Sequence, residues 1–140
     1  MQTNDGSGTT RGASATEEAE VDLGGRPDLR AVRAVVDGTL SLDAEPDDRF
    51  GAVLLVVDEL VSNAYRHATT PRSLRVGRSR ENVLIEVGDR DPVTEAVRPR
   101  AFGYGLRLVS QLSVDWGVRA DSDGKVVWAL VSLDRFPAAL

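Results

Sequence analysis

Three polar side chains recur at four-residue intervals within one apolar stretch of the chain. Glu59, Asn63 and His67 are spaced i, i+4 and i+8, so an α-helix would carry them on one face. A carboxylate and an amide oxygen one turn apart suit Mg²⁺, a hard cation that takes oxygen ligands and is usually shared with substrate phosphates. Glu59 could instead act as a base towards a hydroxyl or water. The alternatives are a solvated helix face for the set and a capping or packing role for His67.

The residues around this face favour a helix that is covered on both sides. A long apolar stripe runs along the stretch: Phe50, Val53, Leu54, Val57, Val61, Ala64, Tyr65 and Ala68. Four more apolar residues border the polar face: Ala52, Leu55, Val56 and Leu60. A surface helix would carry more Lys and Glu there. The pattern predicts a helix from Pro46 or Asp47 to Ala68, with a sheet on one side and a ligand on the other.

A buried carboxylate is suggested by an alternating segment further on. Val83, Ile85 and Val87 alternate with other residues at strand spacing. Asp89 has the same parity, so it points to their side of the sheet. A carboxylate facing a core needs hydrogen-bond donors, because an unpaired buried charge is costly. Asp89 therefore either accepts a hydrogen bond from a ligand amino group or begins a turn before Pro92.

A third candidate site lies where a loop meets a short helix. Gly103 and Gly105 flank Tyr104, and the apolar positions of the helix begin at Leu106. Glycines let a backbone approach a ligand closely, and a helix N-terminus presents free N–H groups to phosphate. A Gly-x-Gly is most often a simple turn, but a loop-to-helix junction is where an anion site is expected.

The remaining periodicities indicate an α+β domain. A further helix is predicted from Pro27, where proline suits the first turn. The predicted strands cover residues 19–25, 74–76, 83–87, 114–119 and 126–133, with a hairpin turn at 121–124. Antiparallel strands with separated helices favour a two-layer α/β sandwich, a mixed and mainly antiparallel sheet covered on one face by helices. Composition assigns residues 1–20 to a disordered N-terminal tail and 21–140 to the domain.

Composition and charge exclude several classes of protein. A net charge of −5 argues against a general nucleic-acid binder, which needs a basic surface. The chain has no cysteine and one histidine, so disulfides are excluded and a zinc site is disfavoured. The sequence has no apolar run long enough to span a membrane and no signal-peptide pattern, so a cytoplasmic location without membrane association is predicted.

Together the three candidate sites resemble the motifs of the GHKL, or Bergerat-fold, ATPases. Residues 57–68 resemble the N box, 85–92 the G1 box and 103–109 the G2 box, and residues 115–117 and 124–128 resemble the closing hairpin. The likeness covers residues 26–133 and is closest to the single-domain anti-sigma-factor serine kinases. Three motifs in the family's order and spacing are a strong combined signal. The resemblance implies the Bergerat sandwich, the histidine-kinase-like ATPase fold.

The resemblance also implies roles for individual residues. Asn63 would hold the Mg²⁺ that bridges the phosphates of ATP, Glu59 would be the general base, and Asp89 would accept from the adenine amino group. The other implied ATP-binding positions are His67, Gly103, Tyr104, Gly105 and Leu106. Arg98 and Arg100, in the short lid segment 92–102, are candidates for phosphate contact or belong to a solvated loop.

The function implied by the resemblance is that of an ATP- and Mg²⁺-dependent protein serine kinase. Its partners would be an anti-anti-sigma (STAS) protein and a sigma factor, with a homodimer as the family's usual state. One departure is Asp91, which stands where the superfamily often has glycine and adds a carboxylate near the nucleotide. The alternative is a catalytically weak or inactive module that sequesters a sigma factor or another regulator. A histidine-kinase transmitter fragment is disfavoured, because the sequence shows no phosphoacceptor helix pair ahead of the domain.

Overall fold

A computed structural model of the chain describes residues 17–40, 48–91 and 104–133. Its elements in chain order are β1 (Glu17–Asp22), α1 (Leu29–Leu40), α2 (Asp48–His67), β2 (Pro71–Arg78), β3 (Asn82–Asp89), α3 (Tyr104–Leu112), β4 (Asp115–Asp121) and β5 (Gly124–Ser132). The described strands form one sheet in the order β1-β2-β3-β5-β4, and each neighbouring pair is antiparallel. The predicted α+β sandwich is confirmed, although none of these pairings is parallel.

The hydrophobic core lies between the helices and one face of the sheet. Val83, Ile85 and Val87 of β3 are buried on this inner face, opposite inward residues of β2 and β5. Helix α2 packs against β2, β3 and β5, and α3 packs against α2. Helix α1 contributes Val32, Val36 and Leu40, and the Asp28 side chain caps its first turn by accepting the Ala31 N–H at 2.8 Å. No helix in the described ranges is long and apolar enough to cross a membrane.

The first strand begins earlier than its composition suggests. Strand β1 starts at Glu17 and ends at Asp22, so residues 17–20 belong to the sheet and not to the predicted N-terminal tail. Each residue of β1 pairs with β2, from Glu17 opposite Arg78 to Asp22 opposite Ser73. Backbone pairing therefore holds an acidic segment that has little apolar surface of its own, and only Ala19 is buried within it.

Charged side chains on the outer face of the sheet connect β2 and β4 near the end of the central strand β3. Arg72 of β2 donates to Asp121 at the end of β4 at 3.0 Å. This hydrogen bond is the main reason that the pKa of the Asp121 carboxyl lies below its usual range. Arg72 thus links β2 to the β4–β5 hairpin across the end of β3, next to the position of Asp89.

Candidate functional site

Helix α2 places Asn63 on its covered side and Glu59 at the margin of that side. Asn63 is only 2% exposed, and Glu59 is partly buried. The bordering residues Ala52, Val56 and Leu60 are all buried. The predicted burial of this side of the helix is therefore confirmed for these positions, and the ligand expected against it stays a prediction. Leu55 is an exception, because its side chain is 39% exposed.

The side-chain amide of Asn63 is incompletely satisfied. Its Oδ1 accepts one long hydrogen bond, from Arg66 Nη2 at 3.3 Å. Its Nδ2 is buried and has no hydrogen-bond partner among the described residues. An unpaired buried donor costs free energy that packing alone would select against. The unpartnered Nδ2 could donate to a ligand acceptor, and Oδ1, which accepts one long hydrogen bond, has the oxygen chemistry that Mg²⁺ prefers.

Glu59 and its neighbour Asp58 have different surroundings. Asp58 lies 3.4 Å from Arg33 of α1. Burial raises the pKa of the Asp58 carboxyl, and the nearby Arg33 charge partly opposes that rise. Glu59 makes no hydrogen bond or ion pair with any residue in the described ranges. Its partly buried carboxylate is thus available to a ligand or a substrate hydroxyl.

His67 is the last residue of α2 and is exposed. It shares a face with Asn63 as predicted, but it lies at the end of the helix and not on the covered segment. The structure therefore brings Glu59 and Asn63 together at the margin of α2 and places His67 at its rim.

Asp89 is the last residue of β3, and it is buried, with 3% of its surface exposed. Its Oδ1 accepts two hydrogen bonds, from Lys125 Nζ and from the Asp91 N–H, each at 2.8 Å. The strand therefore reaches Asp89, and a turn begins immediately after it. Lys125 is a site residue that sequence reasoning missed. The available signal was that Lys125 is the only lysine among 17 Lys and Arg residues.

The Asp91 carboxylate is directed to the end of α2. Its Oδ2 accepts the Thr69 N–H at 2.7 Å, and the neighbouring Arg90 N–H donates to the Thr70 carbonyl at 3.0 Å. The segments that follow α2 and β3 are therefore joined side by side. The residue that departs from the superfamily's glycine acts here as a tether between the N-box helix and the strand of Asp89.

The third candidate site is described only in part. Helix α3 begins at Tyr104, so Gly105 lies in its first turn, and Leu106 is buried in the core at 2% exposure. Gly103, Arg98 and Arg100 lie outside the described residues, as does the rest of the predicted lid. Leu106 is thus a core residue, and its role in shaping the nucleotide pocket stays a prediction.

The sequence matches the family described as histidine kinase-like ATPase domain over residues 26–131. The chain belongs to this family. The matched region runs from the turn before α1 to the end of β5 and contains all three motif segments. No curated protein matches the chain at a significant level. Membership of the histidine kinase-like ATPase family implies an ATP-binding domain, and the narrower anti-sigma type stays a prediction.

Within a histidine kinase-like ATPase domain, the described residues supply complementary groups. Asn63 offers an oxygen to a cation, Glu59 offers a base, and Asp89 offers an acceptor at the end of the central strand β3. The tether from Thr69 to Asp91 holds the end of α2 beside the end of β3. The donor set fits Mg²⁺ shared with a nucleotide, because Asn63 Oδ1 and the Glu59 carboxylate are hard oxygen ligands, and the unpartnered Asn63 Nδ2 could donate to a nucleotide oxygen.

Proposed function

We propose that this domain binds Mg²⁺ and ATP and acts as an anti-sigma-type protein serine kinase on an anti-anti-sigma (STAS) partner. The observation that supports the nucleotide site is the buried Asn63 amide, whose Nδ2 has no partner among the described residues. The resemblance to the anti-sigma-factor serine kinases supplies the substrate class. Glu59 supports the transfer step. It lies one helical turn before Asn63, and its carboxylate makes no hydrogen bond or ion pair with a described residue.

Each residue has a defined task in the proposed transfer. Asn63 Oδ1 would hold the Mg²⁺, which neutralises charge on the β- and γ-phosphates when bound. Asp89 would fix the adenine amino group. Glu59 would accept the proton of the serine hydroxyl while the serine oxygen bonds to the γ-phosphorus. The bond from that phosphorus to the β–γ bridging oxygen breaks, and ADP leaves. Most catalysis of this type is positioning and charge stabilisation, so a small site suffices.

Calorimetric titration with ATP, with and without Mg²⁺, tests the nucleotide site directly. Wild-type protein is expected to bind Mg·ATP, and Asn63→Ala is expected to bind it at least about tenfold more weakly, a loss of about 1.4 kcal/mol. Ser62→Ala is the matched control, because it removes a half-buried polar group of the neighbouring residue in the same helix turn. Equal affinity in Asn63→Ala and wild type would remove Asn63 from the site.

Phosphoryl transfer separates the kinase from a passive nucleotide binder. With a purified STAS-domain protein as acceptor, Glu59→Gln should lower kcat by about 10²-fold or more, the usual range for a general base. The variant should retain ATP affinity, because Glu59 acts on the acceptor hydroxyl. A Glu59→Gln enzyme with wild-type kcat would contradict this role.

A second candidate function is sequestration of a sigma factor without phosphoryl transfer. The observation that favours it is Arg66, whose guanidinium contacts the Asn63 oxygen assigned to Mg²⁺. A protein cation at this position could replace the metal and leave ATP as a structural ligand. This function predicts Mg²⁺-independent ATP binding and no phosphate on the STAS protein, with Mg²⁺ dependence gained in Arg66→Ala.

A further inference from the structure

Lys125 and Asp89 form an ion pair unlike the others in the described ranges. Their charged atoms are 2.8 Å apart, and each side chain is only 4% exposed. In every other ion pair of the described residues, at least one partner is 20% or more exposed. A buried pair gains little net stability, because desolvation of both charges offsets their attraction. Stability alone therefore gives no good reason for this pair.

The backbone is shaped to bring the two charges together. Asp89 and Lys125 are direct partners in the β3–β5 register, and both lie on the inner face with Val87 and Val127. Gly124, the residue before Lys125, has φ +150°, and a Cβ there would lie 2.1 Å from the Asp89 carbonyl oxygen. Only glycine allows the start of β5 to approach the end of β3 so closely.

The pair retains hydrogen-bonding capacity that no described residue uses. Both hydrogen bonds to the Asp89 carboxylate end on Oδ1, and Oδ2 accepts none from the described residues. A lysine ammonium carries three N–H donors, and Lys125 directs one of them to Asp89. An acceptor and a donor thus stand side by side at the end of the central strand.

We propose that Lys125 is a base-recognition residue that donates to a ring nitrogen of the purine while Asp89 Oδ2 accepts from the neighbouring exocyclic amino group. This inference rests on the proposed function, which assigns Asp89 to the adenine amino group. In adenine the amino group has a ring-nitrogen acceptor on each side, N1 and N7. An adjacent carboxylate and ammonium therefore complement either edge. The same contact to Lys125 holds Asp89 Oδ1 and thereby orients the carboxylate, with Oδ2 left for the base.

Nucleotides that lack one ring acceptor test the contact in unmodified protein. The affinities of wild type for ATP, 1-deaza-ATP and 7-deaza-ATP are measured by calorimetry at fixed Mg²⁺. One of the two analogues should bind at least about tenfold more weakly than ATP, as expected when a hydrogen bond to a charged group is lost. Equal affinity for all three nucleotides would overturn the role of Lys125. Absence of ATP binding would overturn the proposed function itself, so the two failures are distinguishable.

A variant then assigns the lost contact to Lys125. Lys125→Met should bind ATP as weakly as wild type binds the sensitive analogue, and it should no longer distinguish that analogue from ATP. Arg75→Met is the matched control, since it removes one positive charge from a 59%-exposed side chain on the outer face of the same sheet. A folded Lys125→Met protein that still discriminates against the analogue would overturn the proposal. If Lys125→Met does not fold, the proposal is tested by the affinities of the wild-type protein for ATP and the two deaza analogues.

Discussion

At the scale of single residues, the Asp91 carboxylate makes a contact that stabilises the fold. It accepts the Thr69 N–H at 2.7 Å, just beyond the end of α2. Asp91→Ala should lower the free energy of unfolding by about 0.5–1.5 kcal/mol, the usual net value of one such hydrogen bond. Urea unfolding measures this change. Glu81→Ala is the control, because Glu81 is exposed and its side chain makes no hydrogen bond among the described residues.

The same Asp91→Ala protein also tests whether the Asp91 carboxylate affects ATP binding. Its ATP affinity should stay within about twofold of wild type, a difference of less than about 0.5 kcal/mol. A gain of tenfold or more would mean that the Asp91 charge weakens nucleotide binding, as expected if this extra carboxylate lies near the nucleotide. The comparison with the superfamily identifies Asp91 as unusual, but only the contact with Thr69 shows how its charge is accommodated.

The sequence predicts the burial of single residues best where one element's periodicity determines the environment. Helical spacing favoured a covered position for Asn63, strand spacing left Asp89 as either a core-facing carboxylate or the start of a turn, and both residues are buried. The partner of Asp89 could not be predicted in this way. Lys125 lies 36 positions away in the chain, and their contact depends on the register of β3 against β5. Leu55 was assigned to the covered border of the polar face, but it is 39% exposed.

At the scale of elements, the approach of the β4–β5 hairpin to β3 depends on one glycine. Gly124→Ala should lower the free energy of unfolding by roughly 2–4 kcal/mol, because a strained φ and a steric clash act together. The clash is with the Asp89 carbonyl, 2.1 Å from the added Cβ. Thermal and urea unfolding measure the change.

Gly38 provides the opposite case within a helix. A Cβ at Gly38, in α1, meets no atom within 4 Å. Gly38→Ala should therefore raise the free energy of unfolding by about 0.5–1 kcal/mol through helix propensity. Equal effects of the two glycine-to-alanine changes would contradict the close approach of β5 to β3.

Element boundaries show where local patterns and tertiary pairing diverge. The end of α2 at His67 was predicted within one residue, because Pro71 and two threonines interrupt the helical pattern. The start of β1 was predicted two residues too late. Glu17 and Glu18 have poor strand propensity, but β2 supplies a complete row of backbone partners for them.

At the scale of the whole molecule, the α+β class followed from the alternation of helical and strand periods, because each period requires its apolar face to meet another layer. The strand order β1-β2-β3-β5-β4 was not predictable from these periods. It places β3, which carries Asp89, in the centre of the sheet and brings the β4–β5 hairpin against it. The composite site of α2, β3 and β5 is therefore a product of topology.

Burial in the hydrophobic core determines how strongly a new charge at two positions of α2 should lower the stability of the whole domain. Val57 is fully buried, and Val57→Asp should cost more than about 4 kcal/mol because it places an unpaired charge in the core. Typical domains have 5–15 kcal/mol of stability, so this variant should be unfolded or barely folded by circular dichroism and urea titration. Leu55→Asp introduces the same charge on the same helix at a 39%-exposed site, and it should change stability by less than about 1 kcal/mol. A cooperative, stable Val57→Asp protein would mean that α2 does not present this face to the sheet, and Asn63 would then lose its covered position as well.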